Sequence, residues 1–200
     1  MDQTRVVKIV ILGSSGVGKS SIINRYINNN WNQDVQTTLG AAFMDKFVSY
    51  RGRNFKFQIW DTAGQEKYGP LAQMYYRDAD VAILVYDSTD KHTFSGLKTW
   101  HMELSEKGPK NLILAIVGNK VELTDEQEVS ESEGERYARK HHAIFKGTSA
   151  KENTGIEELF ENILDDLLDH SVVEETHDMN TSKLVHPRKP QHEEVNRRCC

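Results

Sequence analysis

The chain has 200 residues, 38% hydrophobic and 28% charged, with a formal net charge of −5 and two cysteines. That length argues for one domain with some chain to spare, large enough to bury a core without a disulfide or metal staple. Mild acidity weighs against a dedicated nucleic-acid binder, and apolar runs of about six residues cannot span a bilayer. The opening segment, broken by Lys8, lacks the features of a signal peptide, so a reducing cytosol is expected.

Val6 to Leu12 reads as a buried strand, followed by a Gly-rich turn. Gly13-Ser14-Ser15-Gly16-Val17-Gly18-Lys19-Ser20 matches G-x-x-x-x-G-K-[ST], with a helix expected to open near Gly18. Glycines are needed there because backbone N–H groups must wrap a phosphate without side chains in the way, and the helix N-terminus adds a positive dipole. Lys19 is placed to reach the β- and γ-phosphates and the Ser20 hydroxyl to bind Mg²⁺. A strand near Ala42–Ser49 then turns through Arg51-Gly52-Arg53-Asn54 into another, where Phe55, Phe57 and Ile59 alternate with Lys56, Gln58 and Trp60. Trp60 thus lies on the polar face, which suits either a partly exposed partner surface or packing against a helix.

Val81 to Tyr86 and Leu112 to Val117 are continuous apolar runs, as expected of strands covered on both faces, and Ala143-Ile144-Phe145 is a shorter sixth candidate. Phe94, Leu97, Trp100, His101 and Leu104 form a helical stripe. Ser130 and Glu133 have capping-box spacing for a helix running toward Lys140. Ile156, Leu159, Phe160, Ile163, Leu164, Leu167 and Leu168 follow i, i+3, i+4, i+7 spacing. Strands alternating with helices imply an α/β fold: a mostly parallel six-stranded sheet with helices on both faces and ligands at the strands' carboxyl ends. Past about His170 the period stops, and Pro187 and Pro190 join five acidic and five basic residues that sum to zero charge. Residues 1–170 are therefore read as the folded domain and 171–200 as a flexible tail.

The phosphate loop, Asp61-Thr62-Ala63-Gly64-Gln65, Asn119-Lys120 and Thr148-Ser149-Ala150-Lys151 together resemble the nucleotide motifs of Ras-type small GTPases, over roughly residues 5–170. Thr38-Leu39-Gly40-Ala41-Ala42-Phe43, Met74-Tyr75-Tyr76-Arg77 and the final Cys199-Cys200 are similar to the Rab branch, most like its early-endosomal members. The resemblance implies a P-loop NTPase G domain that binds GTP or GDP with Mg²⁺ and hydrolyses GTP. Ser20, Thr38 and Asp61 would surround the metal, Asp61 through water, although alone it reads as a turn-initiating residue. Gly64 would bring a backbone N–H to the γ-phosphate and Gln65 would orient the attacking water. Ser15, Gly16, Val17, Gly18, Lys19, Ser20 and Ser21 would line the phosphates. Trp31, Asn119, Lys120, Glu122, Ser149, Ala150 and Lys151 would surround the base, with Asn119 bonding it, Lys120 along its face and the Ala150 N–H toward O6.

One departure stands out. The family's usual N-K-x-D is here Asn119-Lys120-Val121-Glu122. The carboxylate is kept but carried one methylene further, which predicts weaker binding or faster GDP release than Asp would give. An alternative reading follows from it: a nucleotide-locked binding module, a pseudo-GTPase whose shape matters and whose turnover does not. The resemblance further implies an aromatic effector patch of Phe43, Trp60 and Tyr75, and prenylation of Cys199 and Cys200, where two lipid chains anchor stably and one does not. Implied partners are a guanine nucleotide exchange factor, a GTPase-activating protein, a GDP-dissociation inhibitor and effectors, but no nucleic acid. The expected state is a monomer on the cytoplasmic face of an intracellular, endosomal membrane, with a cytosolic pool when GDP is bound.

Overall fold

A computed structural model describes residues 4–32, 38, 40–64 and 69–181. Its elements run β1 (Arg5–Leu12), α1 (Lys19–Asn28), β2 (Ala41–Tyr50), β3 (Arg53–Thr62), α2 (Gly69–Tyr76), β4 (Val81–Asp87), α3 (Lys91–Lys107), β5 (Ile113–Asn119), α4 (Glu131–Lys140), β6 (Ile144–Thr148) and α5 (Ile156–Thr181). The chain divides into a unit Met1–Leu167, which holds the sheet, and a unit Leu168–Cys200.

The six strands lie in the order β2-β3-β1-β4-β5-β6, all parallel except β2, which pairs antiparallel with β3. The antiparallel pair closes through Arg51 and Gly52, both at positive φ, the two-residue turn whose twist matches the strands it joins. Strand order reverses at β1, so the crevice beyond its carboxyl end is the place where such sheets bind ligands.

Register shows how the two faces are covered. Val7 pairs with Phe57 and Ile9 with Ile59, and Phe57 meets Phe160 of α5 at 6.1 Å between ring centroids. Phe160 in turn stacks on Tyr26 of α1 at 3.5 Å. On the opposite face Val10, Leu12, Leu84 and Ile116 pack with Tyr76, Leu97, Trp100 and Leu104 of the helices there. All of β4 is buried, which is why its sequence is apolar without alternation. The apolar stripe of α5 from Ile156 to Leu167 is buried, each side chain contributing about 1.5–3 kcal/mol.

Local chemistry sets the helix starts. The Ser130 hydroxyl accepts the Glu133 N–H at 3.3 Å, and the Asp90 carboxylate accepts the His92 N–H at 2.8 Å at the start of α3. Two differences from the sequence reading emerge. Between β3 and β4 no helix was expected, yet α2 forms over eight residues, with Pro70 in its first turn, where a missing N–H costs nothing. Helix α5 also continues to Thr181, past His170: the apolar period ends there, but 171–181 contains neither glycine nor proline to stop the backbone. Among the described residues no helix is long and apolar enough to cross a membrane.

Gly134 shows packing overruling helix propensity. It sits inside α4, where alanine is intrinsically better by about 1 kcal/mol. A Cβ there would fall 2.3 Å from the Tyr86 hydroxyl and 2.6 Å from the Phe145 ring. Overpacking of that kind costs about 1–3 kcal/mol and wins. Gly134→Ala is therefore expected to lower the thermal midpoint by several degrees; an unchanged or raised midpoint would show that Tyr86 can move aside.

Candidate functional site

At the carboxyl edge of the sheet, a cleft of about 360 Å³ opens beyond β1. One end is made by the β1–α1 loop. No side chain caps α1, because its N-cap is Gly18 in the left-handed conformation, with φ 95°. A Cβ on Gly18 would lie 2.3 Å from the Asn119 amide nitrogen, so close approach as well as conformation requires glycine. Lys19 is 5% exposed, and its ammonium donates to the carbonyls of Gly13 and Ser14, both at 2.8 Å. Positive charge is thereby held inside a loop of backbone dipoles at a helix N-terminus, a setting that attracts phosphate.

Three oxygen donors meet beside it. The Ser20 and Thr38 hydroxyls lie 2.8 Å apart, although 18 residues separate them in sequence. Asp61, 2% exposed at the end of β3, sits against Ser20, and its Oδ1 is buried without a hydrogen-bond partner. Burial pushes the Asp61 carboxyl up, opposed by the Ser20 hydrogen bond and the Lys19 charge. A buried, unpartnered carboxylate oxygen beside two hydroxyls fits a hard divalent cation that takes its remaining ligands from water and phosphate oxygens. Gly64 closes this end: a Cβ there would lie 2.3 Å from the backbone of Ser15.

The other end is built around Asn119, at the end of β5 and 2% exposed. Its amide donates to the Val17 carbonyl at 2.8 Å, and its oxygen accepts from the Thr148 hydroxyl at 3.1 Å and the Ala150 N–H at 3.3 Å. The side chain expected to bond a base is thus also a tie between three loops, and the Ala150 N–H expected to face the base is directed at Asn119. Lys120, Glu122, Ala150 and Lys151 line the cleft with Trp31, which is half-buried. The Glu122 Oε2 is buried with no hydrogen-bond partner, an acceptor at the end where base recognition was expected.

Ser15, Gly16, Ser20, Ser21 and Thr38 also line the cleft, whereas Val17 and Ser149 are fully buried behind it. Val17 contributes its carbonyl to Asn119, and the Ser149 hydroxyl accepts the Glu152 N–H at 3.0 Å. Gln65, Cys199 and Cys200 lie outside the described residues. Sequence reasoning missed Asn32, which lines the cleft, and Arg25, whose guanidinium donates to the carbonyls of Ala150 at 2.9 Å and Lys151 at 3.0 Å.

The three aromatics of the expected patch are in contact. Phe43 meets Trp60 edge-on at 5.2 Å, across the β2–β3 register, and Trp60 meets Tyr75 of α2 at 5.6 Å. Phe43 is 49% exposed, while Trp60 and Tyr75 also pack against the core. The packing reading of Trp60 holds, since it lies against the core, and the same ring meets Phe43.

A protein-family model described as Ras family matches residues 8–169. Ras-related protein Rab-22A of Homo sapiens is 49% identical over 156 residues, covering 78% of this chain and 80% of the relative. Ras-related protein Rab-31 of Homo sapiens is 41% identical over 198 residues, 98% of each chain. Ras-related protein Rab-21 of Bos taurus is 43% identical over 173 residues, 86% of this chain and 78% of the relative.

Asn119→Ala leaves the Val17 carbonyl, the Thr148 hydroxyl and the Ala150 N–H without their shared partner. Stability in chemical denaturation should drop by about 2–4 kcal/mol, a large loss for a side chain outside the apolar core. A change below about 0.5 kcal/mol would show that the three loops hold their places without it.

Proposed function

Since the chain belongs to the Ras family and, within it, to the Rab small GTPases, we propose that the cleft is its guanine-nucleotide and Mg²⁺ site and that GTP hydrolysis there switches a surface read by membrane-trafficking partners. The observation that carries this reading is the division of the cleft into two chemistries. Hydroxyl and carboxylate oxygens of Ser20, Thr38 and Asp61 gather beside the lysine-bearing loop, and a buried, unpartnered Glu122 carboxylate oxygen waits at the far end.

In this reading the loop N–H groups and the uncapped start of α1 bind the phosphates, with Lys19 supplying positive charge. Ser20 and Thr38 hold the metal directly and Asp61 holds it through water; when bound, Mg²⁺ neutralises charge on the phosphate oxygens. The Gly64 N–H takes the γ-phosphate, and Gln65 orients the attacking water. Trp31 packs on the guanine edge and Lys120 lies along its face, while the Ala150 N–H stays on Asn119. Glu122 accepts from the base N1–H and 2-amino group, donors that adenine lacks.

Thr38 and Asp61 are the points where nucleotide state enters the surface. Asp61 follows Trp60 on β3, and Ala42 opposite Asp61 precedes Phe43 opposite Trp60. The patch of Phe43, Trp60 and Tyr75 is then the effector surface, remodelled when γ-phosphate contacts are lost. An exchange factor, an activating protein and a GDP-dissociation inhibitor are the regulators this cycle requires, acting on a monomer. Residues 171–200 form the tether, with Cys199 and Cys200 carrying the lipids that place the chain on the cytoplasmic face of an endosomal membrane.

Two experiments test the site. Gln65→Leu should slow single-turnover GTP hydrolysis by about tenfold or more and trap the GTP form; an unchanged rate would count against the role given to Gln65. Glu122→Asp should slow GDP release roughly three- to tenfold, the scale of one improved hydrogen bond. Faster release from the Asp variant would contradict the role given to Glu122.

A further inference from the structure

Asp87, at the carboxyl end of β4, is with Asp61 one of two buried acids among the described residues. Its Oδ1 accepts the Thr89 N–H at 2.9 Å and the Thr89 hydroxyl at 2.7 Å. Its Oδ2 faces the Lys120 ammonium at 2.5 Å. Its own backbone N–H is taken by the Thr93 hydroxyl at 3.0 Å. The carboxylate is therefore fixed by its own turn before it meets the lysine. Lys120 is constrained from its backbone side as well: it sits at φ 66°, and its carbonyl accepts the Ser88 hydroxyl at 3.2 Å.

From this geometry we infer that Asp87 is a positioning residue for nucleotide retention, fixing the Lys120 side chain against the cleft wall before nucleotide arrives. The inference rests on the guanine-site reading above. A lysine carries four rotatable bonds, and a site that must order them on binding loses affinity to that ordering. A charge partner anchored on a neighbouring strand removes the loss in advance. Because β4 and β5 are paired through Asp87 and Asn119, the partner and the lysine's own loop are held in register by the sheet. Asp87 thus acts on the ligand only through Lys120, and its removal should be felt chiefly as faster dissociation.

The test is release of a fluorescent GDP analogue, chased with excess GDP in Mg²⁺, from the full chain, Asp87→Asn, Lys120→Met and the double variant. Asparagine keeps an oxygen for both Thr89 bonds but offers an amide where the ammonium needs an acceptor. Asp87→Asn should speed release about tenfold, the scale of ordering one lysine. In the Lys120→Met background the same change should alter release by less than about twofold. Equal effects in both backgrounds, or unchanged release from Asp87→Asn, would overturn the inference. Should a charge variant fail to fold, Thr89→Val replaces it: one bond fixing Oδ1 is lost while both charges remain, so release should rise about two- to threefold, and an unchanged rate again overturns the inference. If the unaltered chain does not bind the analogue, the guanine-site reading itself fails.

Discussion

The Asn119 side chain, at the end of β5, lies where the β1–α1 loop, the end of β6 and the loop after it come together, and its amide is bonded to all three. These segments are far apart in sequence, and Asn119 and Val17 are separated by 102 residues. Parallel strands bring their carboxyl ends to one edge, but they do not fix the loops that leave them. A primary amide can, because it carries donor and acceptor on one rigid plane and needs no charge to be buried. Arg25 adds a second clasp from α1 onto the carbonyls of Ala150 and Lys151. The cleft is thus held open from behind by buried hydrogen bonds, and its lining is left to face the ligand.

Within that frame the two ends of the cleft differ in chemistry. The end at the β1–α1 loop concentrates positive potential, with a lysine folded onto its own loop and a helix N-terminus without a capping side chain, and sets one buried acid against it. The Asp61 carboxyl is pushed up by burial, yet it is held by Ser20 and by the charge of Lys19, so a cation beside it relieves a cost already present. The Glu122 end offers acceptor oxygen and apolar surface. The same strand that delivers Asp61 to the cleft delivers Trp60, one residue earlier, to the opposite face of the sheet. Strand pleat therefore joins the Asp61 end of the cleft to the aromatic surface without any intervening lever.

Much of this was legible in the sequence, for reasons that differ from element to element. The strands were visible because buried parallel strands must be apolar, and α5 because its stripe repeats through Leu167. The phosphate loop was visible because few residue types tolerate φ near +95° against a neighbouring amide. Helix α2 was not, since eight residues opening on Gly69-Pro70 carry too little period to register. Nor could spacing reveal Arg25, Asn32 or Asp87. Arg25 and Asp87 meet neighbours supplied by the fold, as Arg25 meets Ala150, 125 residues away, and Asn32 is brought to the cleft by the fold alone. Asn119 shows the intermediate case: its place in the site was readable, but its work as a tie depends on Val17 and Thr148 arriving beside it.

The central claim is that this cleft holds a guanine nucleotide despite glutamate at position 122. Heat-releasing whatever nucleotide copurifies with the full chain, and identifying it by chromatography against protein concentration, tests that claim most directly. The account predicts GDP or GTP near one equivalent per chain. An adenine nucleotide in that role, or a chain purified in folded form with none, would contradict it.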